Sequence, residues 1–135
     1  MILDSSLIIC DAQEETTVDT HSSDYVLDLG ADGDAYNELY CVIRVATTCT
    51  SDGSATVQFK IHTSDAEAMS SDTDLYTSSA IAVATLVAGY TVTSFRLPKR
   101  DQLKQYLAAE IIIAEAALTA GAFDIFLTDI DHTNL

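Results

Sequence analysis

ATVQFKIH, residues 55–62, sets Ala55, Val57, Phe59 and Ile61 in alternation with Thr56, Gln58, Lys60 and His62. Successive side chains of a strand point to opposite faces, so strict alternation is what a strand with one buried and one wet face must show. The stretch reads as an antiparallel strand. Just upstream, LYCVIRVA (39–46) places Leu39, Cys41, Ile43 and Val45 on one face and Tyr40, Val42, Arg44 and Ala46 on the other. The link TTCTSDGS (47–54) contains Asp52-Gly53, a pair whose backbone takes positive φ in tight turns, and it predicts a hairpin joining the two strands.

The pattern returns near the end of the sequence. After the turn residues TAGA (119–122), Phe123, Ile125 and Leu127 alternate with Asp124, Phe126 and Thr128, which predicts a second hairpin. In YTVTSFRL (90–97) the apolar phase slips between Val92 and Phe95, as a bulge near Thr93 and Ser94 would make it do, and Pro98 ends that strand. QLKQYLAAEIIIAEAAL (102–118) is rich in helix formers, yet it lacks a polar stripe. Leu107, Ala109, Ile111 and Ile113 share one strand face, so 105–117 is read as a strand. HTSDAEAMSSDTDLYTSS (62–79) reads as a polar linker in which Ser64 and Glu67 match a capping box for one helical turn. With strands near 5–10, 24–28 and 80–85, the expected fold is all-β: a single domain over residues 1–135, an antiparallel jelly roll or β-sandwich of about eight strands.

A chain of 135 residues buries roughly two-thirds of its unfolded surface, and 48% hydrophobic residues are enough to offset chain entropy. Six Lys and Arg stand against twenty-one Asp and Glu, a formal net charge of −15. That charge repels phosphate backbones and anionic headgroups, so neither nucleic acid nor a membrane is expected as a partner. The opening MILDSSLIICDAQEE has no cationic n-region, and its apolar run from Leu7 to Cys10 is too short for a signal peptide or a membrane span. The chain is therefore expected to be made and kept in a cytoplasm.

Cys10, Cys41 and Cys49 are odd in number and form no CxxC or Cys/His cluster, so they are expected as small buried or half-buried thiols. His21, His62 and His132 are scattered and read as solvated side chains. No GxSxG nucleophile elbow and no glycine-rich phosphate loop is present. DLGADGDAYNE (28–38) gathers Asp28, Asp32, Asp34, Asn37 and Glu38, oxygen donors of the kind calcium takes, but without the EF-hand spacing. It reads as a solvated loop with Gly30 and Gly33 as turn formers. The chain is not expected to be an enzyme: no catalytic residue, cofactor or metal is foreseen, which leaves its surface as the functional part.

Two surface features stand out. Four of the six cations, Arg96, Lys99, Arg100 and Lys104, fall within nine positions around KRDQLK (99–104) and form the candidate interface, the alternative being that they only relieve self-repulsion by pairing with acids such as Asp101. Tyr90, Val92, Phe95 and Ile111 to Ile113 supply more apolar surface than one face of a small sandwich buries, which predicts association with further copies.

The order of motifs carries a resemblance. LDSSLIICDAQ at the start, DLG (28–30), ELYCVIRV (38–45), TSD (63–65), AIAVATLVAGYTVTSFRLP (80–98) and LTAGAFDIFL (118–127) together resemble the capsid cement, or decoration, proteins of tailed bacteriophages, over about residues 2–130. The most specific part is ATLVAGY, with RLP seven residues beyond its Gly, followed by TAGAF. The acidic stretch 31–38 and AAEIII (108–113) depart from the pattern. The resemblance implies a small jelly roll that sits as a homotrimer on the outer surface of the virion head and clamps neighbouring subunits of the major capsid protein. The competing reading is a β-sandwich carbohydrate- or receptor-binding module of a phage tail; six Tyr favour it and the absence of Trp opposes it.

Overall fold

The computed structural model describes residues 7–29, 39–97 and 103–128. They form ten strands: β1 (Ile8–Glu14), β2 (Asp19–Ser22), β3 (Leu27–Asp28), β4 (Tyr40–Thr50), β5 (Thr56–Ser64), β6 (Thr73–Thr77), β7 (Ile81–Ala82), β8 (Thr91–Arg96), β9 (Tyr106–Ala114) and β10 (Ala120–Thr128). One antiparallel sheet has the order β1-β10-β4-β8; the other runs β2-β9-β5-β6, with β3 also on β9 and β7 also on β5. Taking β2 with β3 and β6 with β7 as interrupted single strands reduces the ten to eight, four per sheet. This is the jelly-roll order, in which the chain changes sheet at nearly every link. No helix of the described residues is long and apolar enough to cross a membrane.

Neither predicted hairpin forms. β4 pairs with β10 and β8, whereas β5 pairs with β9, β6 and β7, so the link 51–55 crosses from one sheet to the other. The same is true between β9 and β10. Alternation fixes which face of a strand is buried but not which strand lies beside it, and a sandwich meets that demand by facing two inner surfaces across a layer. Gly53 is accordingly not a positive-φ turn residue. Its role is clearance: a Cβ there would stand 2.8 Å from Cβ of Ala116. TAGA is not a turn either, since β10 already begins at Ala120.

The buried faces are those the alternation predicts. Cys41, Ile43 and Val45, Val57, Phe59 and Ile61, Leu107, Ala109, Ile111 and Ile113, and Phe123, Ile125 and Leu127 all enter one core between the sheets. Phe59 of β5 meets Phe123 of β10 edge to face, with centroids 5.1 Å apart and planes at 77°, and so ties one sheet to the other. The expected bulge in β8 is present but lies earlier: Thr93 opposes Ile43 and Thr91 opposes Arg44, leaving Val92 as the extra residue.

Other expectations are corrected. Residues 62–79 are not a linker with a helical turn, because β5 runs to Ser64 and a further strand, β6, follows. Ser64 Oγ accepts from the Ala66 amide (3.1 Å) and donates to the Ser70 carbonyl (2.6 Å), which shapes a tight loop. The surplus apolar surface is smaller than expected, since of the named group only Tyr90 is exposed and Ile112 is half-buried. Ile111 and Ile113 are buried, Val92 and Phe95 pack on the core, and Phe95 stacks on Tyr76 at 5.0 Å. Of that group Tyr90 alone is an exposed large apolar residue, together with Val18, Tyr25, Val26 and Val87 elsewhere among the described residues.

Candidate functional site

The jelly-roll path sorts the links to two ends. Strand ends flanking 15–18, 51–55, 83–90 and 115–119 gather at one end, and those flanking 29–39, 65–72 and 97–105 at the other. The candidate basic residues belong to the second end. Arg96 closes β8 opposite Tyr40 and is exposed. Leu97 follows it, buried, with its amide donating to the Leu39 carbonyl at 2.8 Å. On the other sheet Leu103 is buried, and the Lys104 amide donates to Thr63 Oγ1 at 2.9 Å. Both flanks of the basic segment are thus anchored in the core, while Lys99 and Arg100, with Pro98 and Asp101, lie outside the described residues.

Lys104 has an acid within its own chain. Its Nζ lies 3.5 Å from Asp65, a pair with side chains 36% and 72% exposed. A pair so open to solvent contributes little. Asp28 is the described member of the acidic stretch 28–38, where it accepts from Gln105 Nε2 at 3.2 Å; Asp32, Asp34, Asn37 and Glu38 lie outside the described residues.

The outer face of the β1-β10-β4-β8 sheet holds a second feature. Val42 and Phe126 oppose each other in the β4–β10 ladder, on the faces turned away from the core, yet both are fully buried. The Arg44 guanidinium lies 5.4 Å from the centroid of the Phe126 ring, a cation–π contact that accounts for one of the six cations.

A third feature overturns the reading of His62 as solvated. Its side chain is only 9% exposed, because on the outer face of the other sheet it is enclosed by Asp72 from the 65–72 loop and Glu110 from β9. His62 Nδ1 is hydrogen-bonded to Asp72, and Glu110 Oε1 stands 3.8 Å from the same nitrogen. The imidazole hydrogen bond holds the Asp72 carboxyl below its usual range. Beside them Lys60 pairs with Asp74 at 3.5 Å. His21 is tied down as well, through Nδ1 to Glu15 at 2.8 Å and Nε2 to the Thr17 carbonyl at 2.8 Å. The sequence signal for the His62 group was a polar residue at the end of a strand; its partners stand ten and forty-eight positions away, and only strand pairing brings them in.

The three cysteines are free and buried, as the sequence implied. Burial pushes the Cys10 thiol up to about 12 and Cys49 to about 11, and raises Cys41 further still.

A family model described as Bbp16 matches residues 4–127. No curated protein matches the chain.

Proposed function

We propose that this chain, which belongs to the Bbp16 family, is a structural virion protein: a cement or decoration protein that binds the outside of a phage head as a homotrimer and bridges neighbouring major capsid protein subunits. The observation that carries the reading is the fold itself. The ordered motifs resemble cement proteins whose fold is a small jelly roll, and the strand order here is that of a jelly roll. A stiff module with links fanned out at two ends suits such a role, because a trimer seated at subunit junctions makes several weak contacts at once and multivalency multiplies them.

The basic segment gives the reading a place to act. Arg96 and Lys104 supply positive charge at one end of a molecule of net charge −15, and Lys99 and Arg100 lie between them in sequence. Carboxylates across an interface would be held there in register, and wrong docking opposed. The experiment is co-sedimentation of the purified protein with undecorated heads, alongside light scattering. Saturable decoration that weakens with salt and a mass of three times 14.5 kDa, in solution or on the particle, are the expected results. Reversal of Lys99, Arg100 and Lys104 to Glu should leave circular dichroism unchanged and reduce attachment or trimerisation. Full decoration by that variant at every salt concentration removes the basic segment from the interface, and no decoration by the wild type ends the proposal.

A further inference from the structure

Two carboxylates converge on one nitrogen of His62, and that nitrogen carries at most one proton. Asp72 takes the hydrogen bond, whereas Glu110 at 3.8 Å is beyond hydrogen-bonding distance and has no hydrogen-bond partner among the described residues. Its neutralising cation was at hand, since Lys60 sits directly opposite Glu110 in the β5–β9 ladder. Yet the Lys60 ammonium is drawn to Asp74 instead. On a chain of net charge −15, an imidazole enclosed by protein and facing two acids has one more acceptor than a proton can serve. His62, Asp72 and Glu110 each offer a ligand atom, and the three atoms lie within 4.8 Å of one another.

We infer that His62, Asp72 and Glu110 form a binding site for a divalent transition-metal ion of the zinc type. The donor set decides the class of ion. Calcium and magnesium take oxygen ligands, whereas one imidazole nitrogen with two carboxylate oxygens suits zinc and its first-row neighbours. Tetrahedral bonds of about 2.0–2.2 Å place ligand atoms roughly 3.3–3.5 Å apart, so side-chain rotation would have to close the 3.8 Å between His62 and Glu110, draw in the rest of a set that lies within 4.8 Å, and open the short His62–Asp72 contact. The ligands come from β5, the 65–72 loop and β9, so the ion would fasten that loop to the sheet. Three protein ligands leave a fourth position for water or for a donor from another molecule. The site departs from the sequence reading, which foresaw no metal.

The test is calorimetric titration of the chelator-stripped 135-residue protein with zinc chloride, with calcium and manganese chlorides as separate arms. One equivalent of zinc should bind, at least about tenfold tighter than calcium, and Glu110→Gln and His62→Ala should each weaken zinc by about tenfold or more while far-UV circular dichroism stays unchanged. Zinc should also raise the Tm of the wild type and not that of His62→Ala. Glu110→Gln replaces a partly exposed side chain by its isostere, so it reports on the site even if His62→Ala unfolds. Absence of a saturable one-to-one event overturns the inference, and so does zinc bound as tightly by both variants as by the wild type, which would place the ion elsewhere on the acidic surface.

Discussion

Phe59 and Phe123 belong to different sheets and touch edge to face at 5.1 Å, so their coupling measures whether the sheets are packed as described. Replacing either by Leu removes the ring pair, worth about 0.5–1.5 kcal/mol beyond burial. It also removes about one methylene of volume and leaves a small void at a site with no exposure, a further ~1.5 kcal/mol. Each single variant should therefore lose roughly 2–3 kcal/mol, or roughly 7–10 °C in Tm for a chain of this length. The double variant loses the ring pair only once, so it should be about 0.5–1.5 kcal/mol less destabilised than the sum of the singles. Urea unfolding followed by far-UV circular dichroism, with linear extrapolation for all four proteins, gives the cycle. Costs that add to within about 0.3 kcal/mol would refute the reasoning, because rings in contact across the core cannot act independently.

Gly53→Ala should destabilise by about 1–3 kcal/mol, because its Cβ would lie 2.8 Å from that of Ala116, and Ala116→Gly in the same chain should restore most of the loss in thermal unfolding. Asp72 has a folded-state pKa depressed by its bond to His62, so its contribution is present above the unfolded value near 4 and is lost as pH falls through the folded value. Tm of the wild type should accordingly fall more steeply below about pH 4 than Tm of Asp72→Asn, and parallel curves would contradict the assignment. The three thiols should resist a disulfide reagent in the native protein and all react in denaturant, because burial raises every one of them; a thiol that reacts at native conditions would misplace its strand. Lys104→Ala should change stability by less than about 1 kcal/mol, as measured by urea unfolding, since its pair with Asp65 is open to solvent.

What the sequence made legible was every strand with a clean apolar alternation. Val57, Phe59 and Ile61 against Gln58 and Lys60, or Phe123, Ile125 and Leu127 against Asp124, are inward and outward in the structure as they are on paper. Period two carries the face of each residue, and face is all it carries. One neighbour of β4 is β10, some seventy to ninety residues on, and nothing local in TTCTSDGS marks the link as a crossing between layers. β6, TDLYT, was missed because an edge strand with half-buried or exposed side chains has no apolar rhythm to show. His62 was misjudged for a related reason: its phase placed it outward correctly, but enclosure depends on Asp72 and Glu110, which reach it through a loop and a ladder. The basic segment was legible as charge, while its pairing, as with Lys104 and Asp65, was not.

The positions of β9 and β10 in their sheets carry a consequence for how the protein is born. β10 lies between β1 and β4, and β9 pairs with β2, β3 and β5, so the last two of these ten strands to be synthesised are interior members of the two layers. Among the described strands, a nascent chain emerging at about 5–20 residues per second holds only the β4–β8, β5–β6 and β5–β7 pairings until then. β1, β2 and β3 meanwhile wait without partners, exposing Ile9 and Leu27, which the finished core encloses. Folding is thus held back until nearly all of these residues have left the ribosome, and a chain halted before β9 should be a substrate for chaperones and proteases rather than a shortened jelly roll.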